Sequence, residues 1–411
     1  MIEYNTFALP NGLRFIHHHD PQSAMVAMDV LYNVGARDEN PDMTGLAHLF
    51  EHLMFGGSAN IPDFDRQLEL AGGWSNAWTS NDFTNFYSLL PAGNAETAFW
   101  LESDRMLSLA FSRRALDTQR RVVIEEFKQT CLNQPYGDMS HHLRALLYRV
   151  HPYRWPTIGL TPEHIKRVRL DDIKSFFYSH YAPDNAVVAV AGNITLDRTR
   201  ELAERWFAEI PSRDIKPRVL PVEPPIEAPR ALEVKGRVPV PAITIAYPMG
   251  PRGAEHYEAA DILTDILASG RSSRIQTELL RQYPVFTEAD ASIIGSEDPG
   301  ALTIACRLRS DSRRVINRAL AILNDKIGEL ITDGVTEHEL TRAVNKFESR
   351  TRYAHIGVLQ KAQSLASALL CGYDINSILP LYRNLTVSDI NRAISAIIRP
   401  EASATLIYRP A

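Results

Sequence analysis

The chain has 411 residues, 45% of them hydrophobic and 23% charged, with a formal net charge of −5. This is the composition of a globular protein of about two to four domains. The absence of a basic block argues against a dedicated nucleic-acid binder, and no apolar run is long enough for a helix to span a bilayer.

The first stretch, "MIEYNTFALPNGLRF", reads as strand, turn, strand. It lacks the charged start and apolar core of a signal peptide. The expected compartment is therefore the cytoplasm if this is the native start, and the periplasm if a leader has been removed. In the run His17-His18-His19, alternation along a strand divides the imidazoles between two faces, so a solvated strand end is expected rather than a metal site. Cys131, Cys306 and Cys371 are widely spaced and form no C-x-x-C pair, so neither a disulfide framework nor a thiolate zinc site is expected.

"MVAMDVLYNVGA" predicts a strand, and "GLAHLFEHLMFGG" an apolar helix after it. On that helix His48 and His52 stand one turn apart on one face, with Glu51 beside them. Leu46, Leu49, Phe50, Leu53, Met54 and Phe55 make the remainder apolar. A buried charged glutamate is costly unless something compensates it, and a divalent metal would. H-x-x-E-H is the inverted form of H-E-x-x-H. Catalytic zinc takes three protein ligands and keeps one position for water, so this pattern supplies two ligands and a base and requires a third ligand elsewhere.

"GGWSNAWTSNDFTNFY" places turn glycines before a strand. Trp74, Asn76 and Trp78 fall on one face and Ser75, Ala77 and Thr79 on the other. As an exposed edge, such a strand could add an extended peptide. The third ligand is expected in the helical stretch "DTQRRVVIEEFKQT". Its two glutamates point about 100° apart. Glu125 is spaced to pair with Arg121 at the surface. Glu126 lies on the side of Val122 and Val123, the side that needs a cation, and is the expected ligand.

The later chain repeats the earlier one. "LDDIKSFFYSHYAPDNAVVAVAGN", from Leu170, and "VSDINRAISAIIRPEASATLIYRP", from Val387, share an Asp-Ile pair and a proline at one offset. Each predicts a short helix, a proline and an apolar strand. Between the halves, the prolines of "IPSRDIKPRVLPVEPPIEAPR" favour an extended linker. The expected division is 1–210, a linker at 211–230, and 231–411. Aligning the apolar helices sets Asp261, Thr264 and Asp265 opposite His48, Glu51 and His52, so the second half keeps the packing pattern without the ligands. The expected class is α+β: two similar domains, each a mostly antiparallel sheet with helices on one face.

These stretches resemble the M16 family of zinc peptidases, the inverzincins that include pitrilysin, insulysin and the mitochondrial processing peptidase. The resemblance runs over essentially the whole chain. "HLFEHLMFGGS" is similar to the family's zinc helix, Glu126 to its third ligand, and "GGWSNAWTSNDFTNFY" to its substrate strand. "HPYRWPTIG" and "LASGRSSRIQTELLR" are similar to further landmarks. The resemblance implies Zn²⁺ on His48, His52 and Glu126, with Glu51 as general base. It also implies peptide substrate held at Asn76 and Ala77, and Phe55 beside the scissile bond. The length matches the half-size members, which pair two subunits into a clamshell. Two positions depart from the pattern. Gln119 stands where the family often has a supporting glutamate. Where non-catalytic subunits carry an Arg and a Tyr, this chain has Arg281 and Glu288. A heterodimer with a related chain lacking H-x-x-E-H is therefore expected, a homodimer being the alternative. Two other functions compete: a structural M16-like subunit without turnover, and a non-peptidase zinc hydrolase on another fold. The intact His48, Glu51, His52 and Glu126 set argues against the first, and the duplication against the second.

Overall fold

A computed structural model describes residues 1–411. The chain forms two compact units, and neither is continuous in sequence. The first comprises Met1–Phe127, Trp155–Leu220 and Thr351–Ile378; the second comprises Lys128–Arg154, Pro221–Arg350 and Leu379–Ala411. No helix is long and apolar enough to cross a membrane.

The first unit is built on six strands: β1 (Asn5–Ala8), β2 (Arg14–His19), β3 (Met25–Tyr32), β4 (Trp74–Thr79), β5 (Thr84–Pro91) and β6 (Ala186–Gly192). Their order is β1-β2-β6-β3-β5-β4, so β4 is an edge. All pairs are antiparallel except β2 with β6. Every residue of β6 is buried, which is why it reads as an unbroken run of alanine and valine. On one face, Met28, Val30, Tyr32, Phe86, Val188 and Val190 pack in a core with Phe50, Phe99 and Phe177. On the other, Ala27, Leu31, Ala189 and Ala191 meet Leu359, Ala362, Leu365 and Ala366 of the helix Val358–Cys371. Alanine on both sides of this contact lets the helix lie close to the sheet. His17 of β2 is buried, and its Nε2 lies 2.9 Å from the Ile194 carbonyl oxygen. The expected solvated strand end therefore holds only for His19, which is exposed.

The second unit has β7 (Arg230–Gly236), β8 (Ala242–Met249), β9 (Phe286–Ile294), β10 (Gly300–Leu308) and β11 (Ala404–Pro410), in the order β7-β11-β8-β10-β9. Again one pair, β7 with β11, is parallel. The duplication is therefore visible in topology: β6 and β11 each follow a helix and a proline, and each lies beside its half's one parallel neighbour. Leu143, Leu146 and Leu147 of the helix Met139–Leu147 pack with Ala246, Ala301 and Ala404.

The division expected at the prolines differs from the packing. Residues 128–154 group with the second unit, and 351–378 with the first. Proline content marks where the chain cannot be helical; it carries no information about which sheet a distant helix covers. The expectation of helices on one face is likewise extended by one helix on the second face of the first sheet. The segment 211–227 has no regular structure, yet it is pinned along its length. Arg218 pairs with Asp38 at 2.5 Å, and Glu223 accepts the backbone N–H groups of Arg149, Val150 and His151.

Candidate metal centre

The H-x-x-E-H stretch forms the helix Leu46–Leu53, which buries Leu46, Ala47, Leu49, Phe50 and Leu53. Its N-terminus is tightly defined. Gly45 adopts φ 86°, and a Cβ there would lie 2.8 Å from the Ile158 carbonyl oxygen, so only glycine fits. The buried Glu39 accepts from Gly45 N and Ala47 N, each at 2.8 Å. These bonds satisfy N–H groups at the helix start that have no partner within the helix. Burial pushes the Glu39 carboxyl up to about 8, against the opposing pull of those N–H bonds.

The helix Arg113–Phe127 buries Leu116, Val123 and Phe127 and leaves Glu126 half-buried. Glu125 is exposed. Val122 is also exposed, at 44%, so the inward side is marked by Val123 and Phe127 rather than by the expected Val122–Val123 pair.

These two helices bring His48, His52 and Glu126 together. His48 Nε2 lies 3.6 Å from Glu126 Oε1, and His52 Nε2 lies 3.4 Å from Glu126 Oε2. The ligand atoms of all three fall within 4.8 Å of one another. Two ligands on ~2.1 Å arms in a tetrahedron stand about 3.4 Å apart, so the donor set fits a zinc ion in both chemistry and spacing. The two imidazoles are perpendicular, with centroids 4.9 Å apart. Burial depresses the His48 pKa. The hydrogen bond between His52 and Glu126 raises the former and lowers the latter. Gln119 hydrogen-bonds His52 as well, so the position of the absent supporting glutamate still touches a ligand.

Glu51 stands outside this cluster. Its Oε2 accepts a hydrogen bond of 2.6 Å from Thr79 Oγ1. Burial raises its pKa, and the Thr79 bond and nearby His52 oppose the rise. No spacing rule in the sequence links Thr79 to Glu51. The available signal was its place on the same strand face as Ala77.

Strand β4 alternates between exposed and half-buried residues along its whole length. Trp74, Asn76 and Trp78 face outward. Ala77 N donates to Asn76 Oδ1 at 2.8 Å, so this N–H is satisfied locally. Phe55 packs 5.9 Å from the Phe64 ring and 6.1 Å from the Phe86 ring. Its observed contacts are those of core packing.

In the second half, the helix Tyr257–Ala268 carries the aligned residues. Asp261 accepts from Tyr382 Oη at 2.7 Å, and Asp265 lies 3.5 Å from Arg350. Thr264 Oγ1 donates to the Asp261 carbonyl oxygen. The polar positions are occupied by these partners, leaving no group of metal donors there. Arg281 and Glu288 are both exposed, and Glu288 pairs with Arg307 at 3.0 Å.

Comparison with known proteins gives two family matches. Residues 14–159 match the model described as insulinase (peptidase family M16), and residues 167–347 match the peptidase M16 inactive domain. A zinc protease of Helicobacter pylori is 27% identical over 99% of this chain and 93% of its own length. An uncharacterized zinc protease of Mycobacterium leprae is 30% identical over 80% of this chain and 74% of its own. The crystal structure of a protease from Helicobacter pylori superposes with a TM-score of 0.91 at 24% identity, covering 100% of both chains.

Proposed function

The chain belongs to the M16 family of peptidases, and on that premise we propose that it is a zinc-dependent endopeptidase of half size. It cleaves peptides or unfolded segments inside a clamshell of two subunits. What supports the reading is the grouping of His48, His52 and Glu126 at distances suited to one tetrahedral ion, with Glu51 adjacent and outside the donor set. Relatives over most of the chain are named zinc proteases.

His48, His52 and Glu126 would hold the ion. Bound there, zinc would acidify a water molecule and polarise a peptide carbonyl. Glu51 takes a proton from the attacking water and passes it to the leaving amine as the C–N bond breaks, first as base and then as acid. A half-buried carboxyl with a raised pKa suits both roles. The free edge of β4 receives the extended backbone of the substrate, with Asn76 and Ala77 at the contact. Asn76 must release the Ala77 N–H as the peptide docks. Strand addition reads backbone rather than side chains, which favours unfolded substrates.

A heterodimer is favoured by Glu288. It stands where the resemblance places a partner's tyrosine, and it offers no phenolic hydroxyl to a developing oxyanion. A related chain would supply that donor together with an arginine.

The test is metal analysis with peptide cleavage, on this chain alone and with its paralogue. About one zinc per chain is expected, with activity abolished by a chelator, weak for the lone chain and restored by the partner. Glu51→Gln should retain zinc and lose turnover, whereas Glu126→Gln should lose zinc. The reverse pattern would overturn the assignment. Full activity of the lone chain, unaffected by Arg281→Ala, would remove the partner. Stoichiometric zinc without turnover in any assembly would favour the structural subunit.

A further inference from the structure

Glu51 has the chemistry of a base but needs a fixed direction. Its side chain has three rotatable bonds, and its terminal torsion is broad and roughly two-fold. Without a partner it would spread over several orientations, only some useful for proton transfer. One residue from a different element constrains it: Thr79, whose Oγ1 donates to Glu51 Oε2 at 2.6 Å.

Thr79 is well suited to this. It is β-branched and stiff at χ1, so the backbone sets the direction of its hydroxyl. The backbone is itself clamped. Thr79 ends β4 opposite Thr84, and the turn that follows closes through Ser80 N to Phe83 O at 2.8 Å. That turn is bound to the segment ahead of the motif helix by Ala36 N to Ser80 O at 3.1 Å and Arg37 N to Asn81 O at 2.9 Å. Arg37 and Asp82 form a buried ion pair at 3.0 Å, and Trp155 Nε1 donates to the Ala36 carbonyl oxygen at 2.8 Å. The hydroxyl therefore sits on a turn held by several backbone bonds and a buried ion pair.

We propose that Thr79 is a positioning residue for the reaction. Its hydroxyl holds one oxygen of Glu51 so that the other, Oε1, is presented for proton transfer, and β4 thereby aligns both the peptide and the base. This rests on the peptidase reading above. No proton leaves Thr79. Its O–H stays intact while the water's O–H bond breaks and an Oε1–H bond forms. Thr79 and Ala77 share one face of a six-residue strand. The registration between a docked backbone and the base is then fixed within a single element, with no loop between them.

The experiment uses the full-length chain in the assembly in which the wild type is active. Thr79→Val keeps the shape and removes the donor; Thr79→Ser restores it. Thr79→Val should retain its zinc and a KM within about twofold of wild type, while kcat falls roughly 10- to 100-fold, the range for losing a hydrogen bond to a charged group. Thr79→Ser should recover most of kcat. Crystal structures of the wild type and Thr79→Val give a readout independent of turnover: Glu51 should hold one rotamer in the first and spread in the second. Unchanged kcat in Thr79→Val, equal loss in both variants, or an unmoved Glu51 would each overturn the proposal. An inactive wild type in which Thr79→Val still frees Glu51 would sink the peptidase reading and leave the positioning role standing.

Discussion

Asp29 lies wholly buried in β3, on the strand face of Ala27 and Leu31, the face covered by the helix Val358–Cys371. Asn85 Nδ2 donates to its Oδ2 at 2.8 Å, and its other oxygen has no partner. Burial pushes its carboxyl up to about 8. A folded-state pKa above the unfolded value means that the folded form holds the extra proton. The resulting stability is complete below about pH 4 and is lost as pH rises toward 8, with a limiting slope of about 1.4 kcal/mol per pH unit. Asp29→Asn should flatten this dependence. Urea unfolding at pH 6 and pH 9 should show a larger loss for wild type than for the variant, and equal losses would refute the assignment. The grouping of His48, His52 and Glu126 was legible, because residue type and helical spacing set the two histidines on one face and Glu126 on the inward side of its own helix. Thr79 was hidden because its bond to Glu51 depends on how β4 packs against a helix far from it in sequence. Val122 misled because two adjacent valines look equally apolar although helical geometry turns only one inward.

Arg213 shows how an element end is secured by a residue outside any element. It lies in the proline-rich segment, and its guanidinium donates to the carbonyl oxygens of Phe177, Tyr181, Met106 and Leu107. It also lies over the Phe177 and Tyr178 rings at 4.3 and 4.8 Å. Met106 and Leu107 end the helix Ala95–Leu107; Phe177 lies in the last turn of Leu170–His180 and already accepts the N–H of Tyr181, the residue that follows the helix. The last carbonyls of a helix lack internal partners and carry its negative pole. One cation thus caps two helices. Arg213→Ala should lower stability by about 2–4 kcal/mol, read by chemical denaturation. Arg213→Lys should recover little, because an ammonium cannot span four carbonyls as a planar fork does. Full rescue by lysine would show that charge alone matters. At this scale the strands, the repeat and the apolar helices were readable from periodicity. The helix on the second face of the first sheet was not, because alanine and valine on both sides of a strand state that it is buried without stating by what.

Each unit includes a segment from outside its own half of the sequence. Residues 351–378 belong to the first unit and 128–154 to the second. Severing the chain after Leu220 would therefore leave the apolar face of Ile16, Ala27, Leu31, Val187, Ala189 and Ala191 without the helix Val358–Cys371. Fragments 1–220 and 221–411, produced separately, should aggregate, and produced together they should yield a soluble pair. A soluble 1–220 fragment that unfolds cooperatively on its own would contradict this. The same exchange orders events on the ribosome. His48, His52 and Glu126 are all present once translation has passed residue 126, but the sheet of the same unit lacks the helix on its second face until translation has passed Cys371. The nascent chain must therefore carry these three residues on an unfinished unit while residues 127–371 are made. Premature termination or a slow stretch of codons between those two points would leave a species with all three residues made and one apolar face of its sheet uncovered, open to aggregation or to chaperones.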